Sequence, residues 1–288
     1  MTSYPRGLRP SMATPSLHVV SSGDSDSRVL LHVPHASRHI PRGVRAHLLL
    51  SPAALALELD RVTDTLTDVM ALEAAAAARC RPWVLTNGLS RLVVDPERYP
   101  DDREIMNRVG QGVVYDTTSQ GTPLRRKDPG HRAHLIAQYF VPYTETLAAL
   151  VRQRVAAVGR VTILDIHSYR VAPHPNDVNH GQARPSVCIG TDAIHTPPAL
   201  REMARLAFSS LGDVRENEPY AGTYVPMECQ GASAQVTSIM LELRADTHVD
   251  TDLRATAGLR DVVAALTRVI DQLSNDDGKA SRRVRAVT

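Results

Sequence analysis

Three apolar runs of this chain each end in a residue that can bind a metal or move a proton. LLHV leads through Pro34 to His35, VTILDIH closes on His167, and VTSIMLELR carries Glu242 near its end. In open α/β sheets, ligands sit at the carboxyl ends of the strands. Two imidazoles and a carboxylate delivered there suit metal-dependent hydrolysis, with the imidazoles as ligands and the carboxylate as proton acceptor. Asp165 and His167 share a strand face, because side chains alternate. A carboxylate there orients the ring and fixes its tautomer. Along the late strand Ile239, Leu241 and Leu243 take one face, and Met240, Glu242 and Arg244 the other. Burying Glu242 is costly unless it is paired, and burial raises its pKa toward that of a general base. A plain ion pair with Arg244 is the competing reading. Glu58, Asp60 and Asp64 follow on a helix, with Asp60 and Asp64 one turn apart. One of these acids can complete a His₂-carboxylate set with an open fourth position. Arg91 and Arg98 flank a short apolar run, and the arginine fork reads carboxylates, which points to an anionic substrate. His32, inside the first run, and His39, beyond the turn, rank below His35.

These residues need strands and helices to bring them together. Arg28–Pro34 reads as the first buried strand. Ser51 caps a helix with Pro52 at its first position, and apolar spacings of three and four continue it from Leu55 to Leu72 and through the alanine run to residue 78. Trp83–Leu85 and Leu92–Val94 are short strands around an Asn87-Gly88 turn. Tyr99–Gly130, rich in Gly, Pro, Asp and Arg, reads as a long loop with a short GVVY strand. Loops of that length are usually functional or mobile. A helix over His131–Val158 is expected to kink at Pro142. Strands follow at Val161–Ile166, Pro185–Gly190 and Ala234–Leu243, and helices at Pro198–Leu211 and Thr251–Leu273. Alternating strands and helices predict an α/β fold, a mainly parallel sheet with helices on both faces. One domain is expected over 28–274, with residues 1–27 and 275–288 disordered.

Composition excludes several classes. The 288 residues are 43% apolar, enough for a sizeable core, and 33 basic residues nearly balance 31 acidic ones. No global field favours nucleic acid or membrane. Only 4% of residues are aromatic, which leaves few platforms for stacking bases. No run approaches the roughly 18 apolar residues of a membrane span. The polar N-terminus lacks the apolar core of a secretory signal, so a cytoplasmic location is expected. Cys80, Cys188 and Cys229 are odd in number and lack CxxC spacing, which argues against a disulfide framework and a cysteine zinc site.

The ordered set of short motifs resembles the N-formylglutamate amidohydrolase family. The segments are Pro34-His35-Ala36-Ser37, Asp60 through Thr63-Asp64, Ser90–Arg98, Gly110–Tyr115, Pro142-Tyr143, Asp165–Ser168, Asn217–Gly222 and Glu242. The resemblance spans roughly Arg28 to Ile270. It implies a mixed, mostly parallel sheet like that of zinc-dependent exopeptidases. It also implies one Zn²⁺ held by His35, Asp60 and His167, with Asp64 as the rival of Asp60. Glu242 would be the general base, with Asp165 behind the histidine. Arg91 and Arg98 would clamp a substrate carboxylate, with Tyr220, Gly222 and Arg244 also lining the substrate site. The implied reaction turns N-formylglutamate into formate and glutamate, the last step of histidine breakdown. The partner is a small anionic N-acyl amino acid, with no nucleic acid or membrane. Ser37, Thr144 and Pro96-Glu97 depart from the family pattern, and Glu97 stands where asparagine is usual. That carboxylate favours, as the alternative, a related zinc deacylase or peptidase of different substrate. A non-catalytic carboxylate-binding protein on the same fold is the reading from another class.

Overall fold

Alternating segments build one seven-stranded sheet. The structure, a computed structural model, describes residues 17–231 and 234–285. Its elements begin with β1 (His18–Ser21), β2 (Val29–Val33), α1 (Arg42–Arg45), α2 (Pro52–Val62), α3 (Thr67–Ala77) and β3 (Trp83–Asn87). Then come α4 (Pro129–Leu135), α5 (Val141–Val158), β4 (Val161–Tyr169), β5 (Val187–Gly190) and α6 (Pro198–Phe208). The chain continues through β6 (Val214–Glu216), β7 (Val236–Arg244) and α7 (Gly258–Arg285). The strand order is β1-β3-β2-β4-β7-β5-β6. Four pairings are parallel, and β1–β3 and β7–β5 are antiparallel. The sheet is therefore mixed and mostly parallel, as expected. Because β2, β4 and β7 run side by side in one direction, their carboxyl ends share one edge.

Alternation along these three strands sorts side chains into two layers. Val29, Leu31, Leu164, Ile166, Ile239 and Leu241 pack on Met70 and Ala74 of α3, Phe208 of α6 and Leu266 of α7. Leu30, Ile163 and Val236 pack the other way, on Tyr143, Leu147 and Val151 of α5. Helices thus cover both faces. The α5 face of the same strands carries His32, Asp165, His167 and Glu242. Register aligns His32 with Asp165 and His167 with Glu242. Phe208, one of two phenylalanines in the chain, is fully buried in the first layer. Phe208→Ala is expected to cost about 3–5 kcal/mol, through lost transfer energy and the cavity left behind. Urea unfolding checks it, and a loss under about 1 kcal/mol would mean this layer collapses to fill the gap.

The structure corrects several segment boundaries. The single helix expected from Pro52 to residue 78 is two. After Val62 the chain turns extended at Thr63 (φ −86°, ψ 132°), and Leu66 takes a left-handed φ of 64°. Thr and Asp side chains compete with helical backbone bonding, and here Thr67 Oγ1 donates to the Asp64 carbonyl at 2.9 Å. Leu92–Val94 and the GVVY segment are buried but lie in turns, not strands. The expected break at Pro142 appears as a π-turn over Ile136–Phe140 joining α4 to α5, which removes the need for an N–H at the proline. Of the 1–27 segment expected to be disordered, residues 1–16 lie outside the described residues. The remainder is ordered from residue 17, where β1 pairs with β3 and covers that edge of the sheet. At the other end α7 continues to Arg285, past the point where a tail was expected to begin.

Candidate active site

The break between α2 and α3 places the carboxylate. Asp64 N donates to His35 O at 3.1 Å, which ties the break to the turn that follows β2. Asp64 Oδ2 then lies 3.0 Å from His167 Nδ1 and 3.6 Å from His35 Nδ1, and the two Nδ1 atoms are 3.2 Å apart. All three residues are buried. Asp60, two-fifths exposed, faces away and pairs with Arg38 at 2.7 Å. The structure thus brings His35, Asp64 and His167 together, and leaves Asp60 outside because the helix ends before Asp64 and turns it inward.

The far nitrogens explain the orientation. His35 Nε2 lies 2.9 Å from Asp95 Oδ1 in a hydrogen bond, and His167 Nε2 lies 3.1 Å from Asp165 Oδ1 and 3.3 Å from Glu97 Oε2. A carboxylate only accepts, so His35 carries hydrogen on Nε2, while His167 Nε2 is buried between two carboxylates without a hydrogen bond to either; both Nδ1 atoms face Asp64. Two imidazole nitrogens and a carboxylate oxygen this close need a proton or a cation between them. In metal terms their separations of 3.0, 3.2 and 3.6 Å bracket the edge of about 3.3 Å between ligands of a tetrahedral zinc with bonds of ~2.0–2.1 Å. The donor set therefore fits a divalent cation. Burial alone would raise the Asp64 carboxyl, but the His167 and His35 imidazoles beside it, with Arg91, outweigh it and hold it well below the usual range.

Asp95 is the hub behind His35. Its Oδ2 accepts from Arg91 Nη2 at 2.9 Å and from Tyr115 OH at 2.8 Å, and lies 3.4 Å from Arg98 Nε. Arg91 Nη1 remains 3.6 Å from Asp64 Oδ1, and both arginines line the cavity. Asp165 plays the matching part behind His167. It holds His32 Nδ1 at 2.8 Å, so His32, ranked low from sequence, is a buried member of the network.

A cavity of about 430 Å³ opens over this cluster, lined by His35, Asp64, Arg91, His167, Tyr220 and Glu242 among others. The Tyr99–Gly130 segment supplies part of its wall through Ile105, Met106, Arg108 and Tyr115. Glu242 has no ion-pair partner among the described residues, and its Oε2 is buried without a hydrogen bond. Burial pushes its carboxyl up to about 7, against the pull of His167.

The sequence model of the N-formylglutamate amidohydrolase family matches residues 27–249. The chain belongs to that family. It is a hydrolase acting on a linear amide bond. An N-formylglutamate deformylase of Pseudomonas aeruginosa is 26% identical over 230 residues, covering 77% of this chain and 82% of that one. The crystal structure of N-formylglutamate amidohydrolase from Ralstonia eutropha superposes with a TM-score of 0.73 at 17% identity, over 92% of this chain and 99% of that one. A gene product of Agrobacterium tumefaciens gives 0.66 at 19%, over 91% and 96%. These two establish the fold alone.

Within this amidohydrolase-family chain, the remaining expected site residues divide. Tyr220 reaches the cavity, its hydroxyl 3.3 Å from Asp177 Oδ2. Gly222 lines a neighbouring cavity with Asp165, Glu97 and Tyr224 instead. Its φ of 90° suits glycine, and its carbonyl fills the space a side chain would need at Gly190. Arg244 is a correction. It neither lines the cavity nor pairs with Glu242, but binds Asp246 at 2.7 Å and the Arg184 carbonyl. The strand ends there, and the 3-10 turn after it offers the nearer carboxylate. Sequence reasoning also passed over His248. Its Nε2 lies 3.1 Å from Thr65 O and 3.4 Å from Ser168 Oγ, so it joins the neighbours of Asp64 and His167 from behind. Nothing in its polar surroundings along the chain signals that role. Cys80, Cys188 and Cys229 are free thiols, and no helix among the described residues is long and apolar enough to cross a membrane.

Proposed function

We propose that this chain removes the formyl group of N-formylglutamate, giving formate and glutamate, with one divalent cation, zinc, held by His35, Asp64 and His167. The observation that carries this reading is the convergence of two Nδ1 atoms and one carboxylate oxygen beside an unpaired Glu242. A cation held by these three residues would supply Lewis-acid chemistry, polarising the acyl oxygen and lowering the pKa of water. Asp95, with Asp165 and Glu97, holds the rings so that both Nδ1 atoms face inward. Glu242 accepts a proton from the attacking water as the new C–O bond forms, then passes it to the departing nitrogen as the C–N bond breaks. Arg91, which lines the cavity, faces the substrate's α-carboxylate.

Metal analysis paired with a formate-release assay tests the proposal. About one zinc per chain is expected, with chelation abolishing release and zinc restoring it. Full activity in a demonstrably metal-free protein would overturn the metal role. Glu97 favours a second reading. Its carboxylate lines the cavity, and its Oε1 is buried without a hydrogen bond. A zinc deacylase or peptidase acting on a less acidic N-acyl substrate accommodates that charge, and a panel of N-acyl amino acids separates the two.

A further inference from the structure

Six arginines border the cavity, and they are not equally engaged. Arg91 and Arg98 face Asp95, and Arg184 lies 3.4 Å from Asp177 Oδ2. Arg61 is only 3.8 Å from Glu58 Oε2, a carboxylate already bound by Ser119 through both oxygens. Arg108 and Arg170 line the cavity with no ion pair and no side-chain hydrogen bond among the described residues.

The segments carrying these free cations are fastened together. Glu58, on the same helix as Arg61, accepts from Ser119 N at 2.6 Å and Ser119 Oγ at 2.8 Å. Ser119 O accepts from Asn176 N at 3.0 Å, and Asn176 Nδ2 donates to Val109 O at 3.0 Å, next to Arg108. Arg170 is fixed at its carbonyl by Arg184 Nη2 at 2.8 Å. It stands three residues beyond His167, about 10 Å along an extended chain, past the reacting end of the cavity. Guanidinium groups without a carboxylate partner, carried on fastened segments around one cavity, offer a receptor for a carboxylate.

We infer that Arg108 and Arg170 bind the side-chain carboxylate of the substrate and so select dicarboxylic N-acyl amino acids over their amides. This rests on the amidohydrolase reading, in which the α-carboxylate lies near Arg91. Losing a hydrogen bond to a charged group weakens binding by roughly tenfold or more.

The test is calorimetric titration of the zinc-loaded protein with glutarate and with its monoamide, in wild type and in the Arg108→Gln/Arg170→Gln double variant. Wild type is expected to bind glutarate at least about tenfold more tightly than the monoamide. The double variant should lose that preference, and Arg108→Lys/Arg170→Lys should keep part of it. Equal weakening of both ligands, or an unchanged preference, would overturn the inference. If the glutamine variant is misfolded by thermal melting, the lysine variant decides, since it must then still prefer glutarate. Formate release from N-formylglutamate and N-formylglutamine, run alongside, separates the two readings. A preference that collapses in a protein with no release from either compound keeps the carboxylate receptor and removes the deformylase. Release from both at equal rates, with glutarate not preferred, does the reverse.

Discussion

Glu242→Gln is expected to lower turnover by more than about a hundredfold, the usual worth of a general base, while leaving the bound metal in place. Glutamine keeps the shape and loses the ability to take a proton. The nearby carboxylates lie against histidines: Glu97 is 3.3 Å from His167 Nε2 and 3.7 Å from His35 Nε2. Arg244, the residue that could have neutralised Glu242, is spent on Asp246. The Asp64 carboxylate is occupied by two histidines. Burial carries Glu242 up to about 7, which suits a group that must both accept and return a proton near neutral pH. Because Glu242 is outside the His35–Asp64–His167 set, zinc content should stay near wild type. The measurements are kcat for formate release and zinc per chain. A kcat within about threefold of wild type would remove Glu242 from the proton transfers and leave Glu97, the other cavity carboxylate with an oxygen free of hydrogen bonds, as the base, since this threefold limit sits far below the effect of losing one.

The strands were legible because period-2 alternation and buried runs are strong signals. Val161–Tyr169 is buried at all nine positions, and its apolar run announces this. His35, His167 and Glu242 were legible for the same reason, since each marks the end of such a run. The loop-borne part was harder to read. Spacings of three and four carried a single helix across Thr63–Leu66, because Val62, Leu66 and Val69 keep the period while the backbone does not. The interruption is a tertiary effect, fixed by the bond from Asp64 N to His35 O, made across residues far apart in sequence. Asp95 was visible only as a motif position. Its role as the partner of His35, Arg91 and Tyr115 depends on three segments meeting. Arg244 shares a strand face with Glu242, yet alternation says nothing about the local pairing that takes it away.

Exchanging Asp64 for asparagine should weaken zinc binding by more than about a hundredfold, whereas Asp60→Asn should leave it unchanged. Changes to groups that touch only a metal's ligands typically cost about 10–100-fold in affinity, and Asp64 is proposed as a direct donor. Asparagine there retains the backbone bond to His35 O, so the fold at the helix break is kept. It removes the negative charge that faces both imidazoles, and leaves the two Nδ1 atoms with a weaker third donor beside them. Asp60 and Arg38 are each about two-fifths exposed, and such pairs contribute about 0–1 kcal/mol. Competition against a chelator of known affinity, at fixed pH because ligand protonation competes with metal, gives both constants. His167→Ala belongs in the same series and should behave as Asp64→Asn does. Should Asp60→Asn lose the metal while Asp64→Asn holds it, the carboxylate between the histidines would be no ligand, and the 3.0 Å contact with His167 would be a structural hydrogen bond that merely orients the ring.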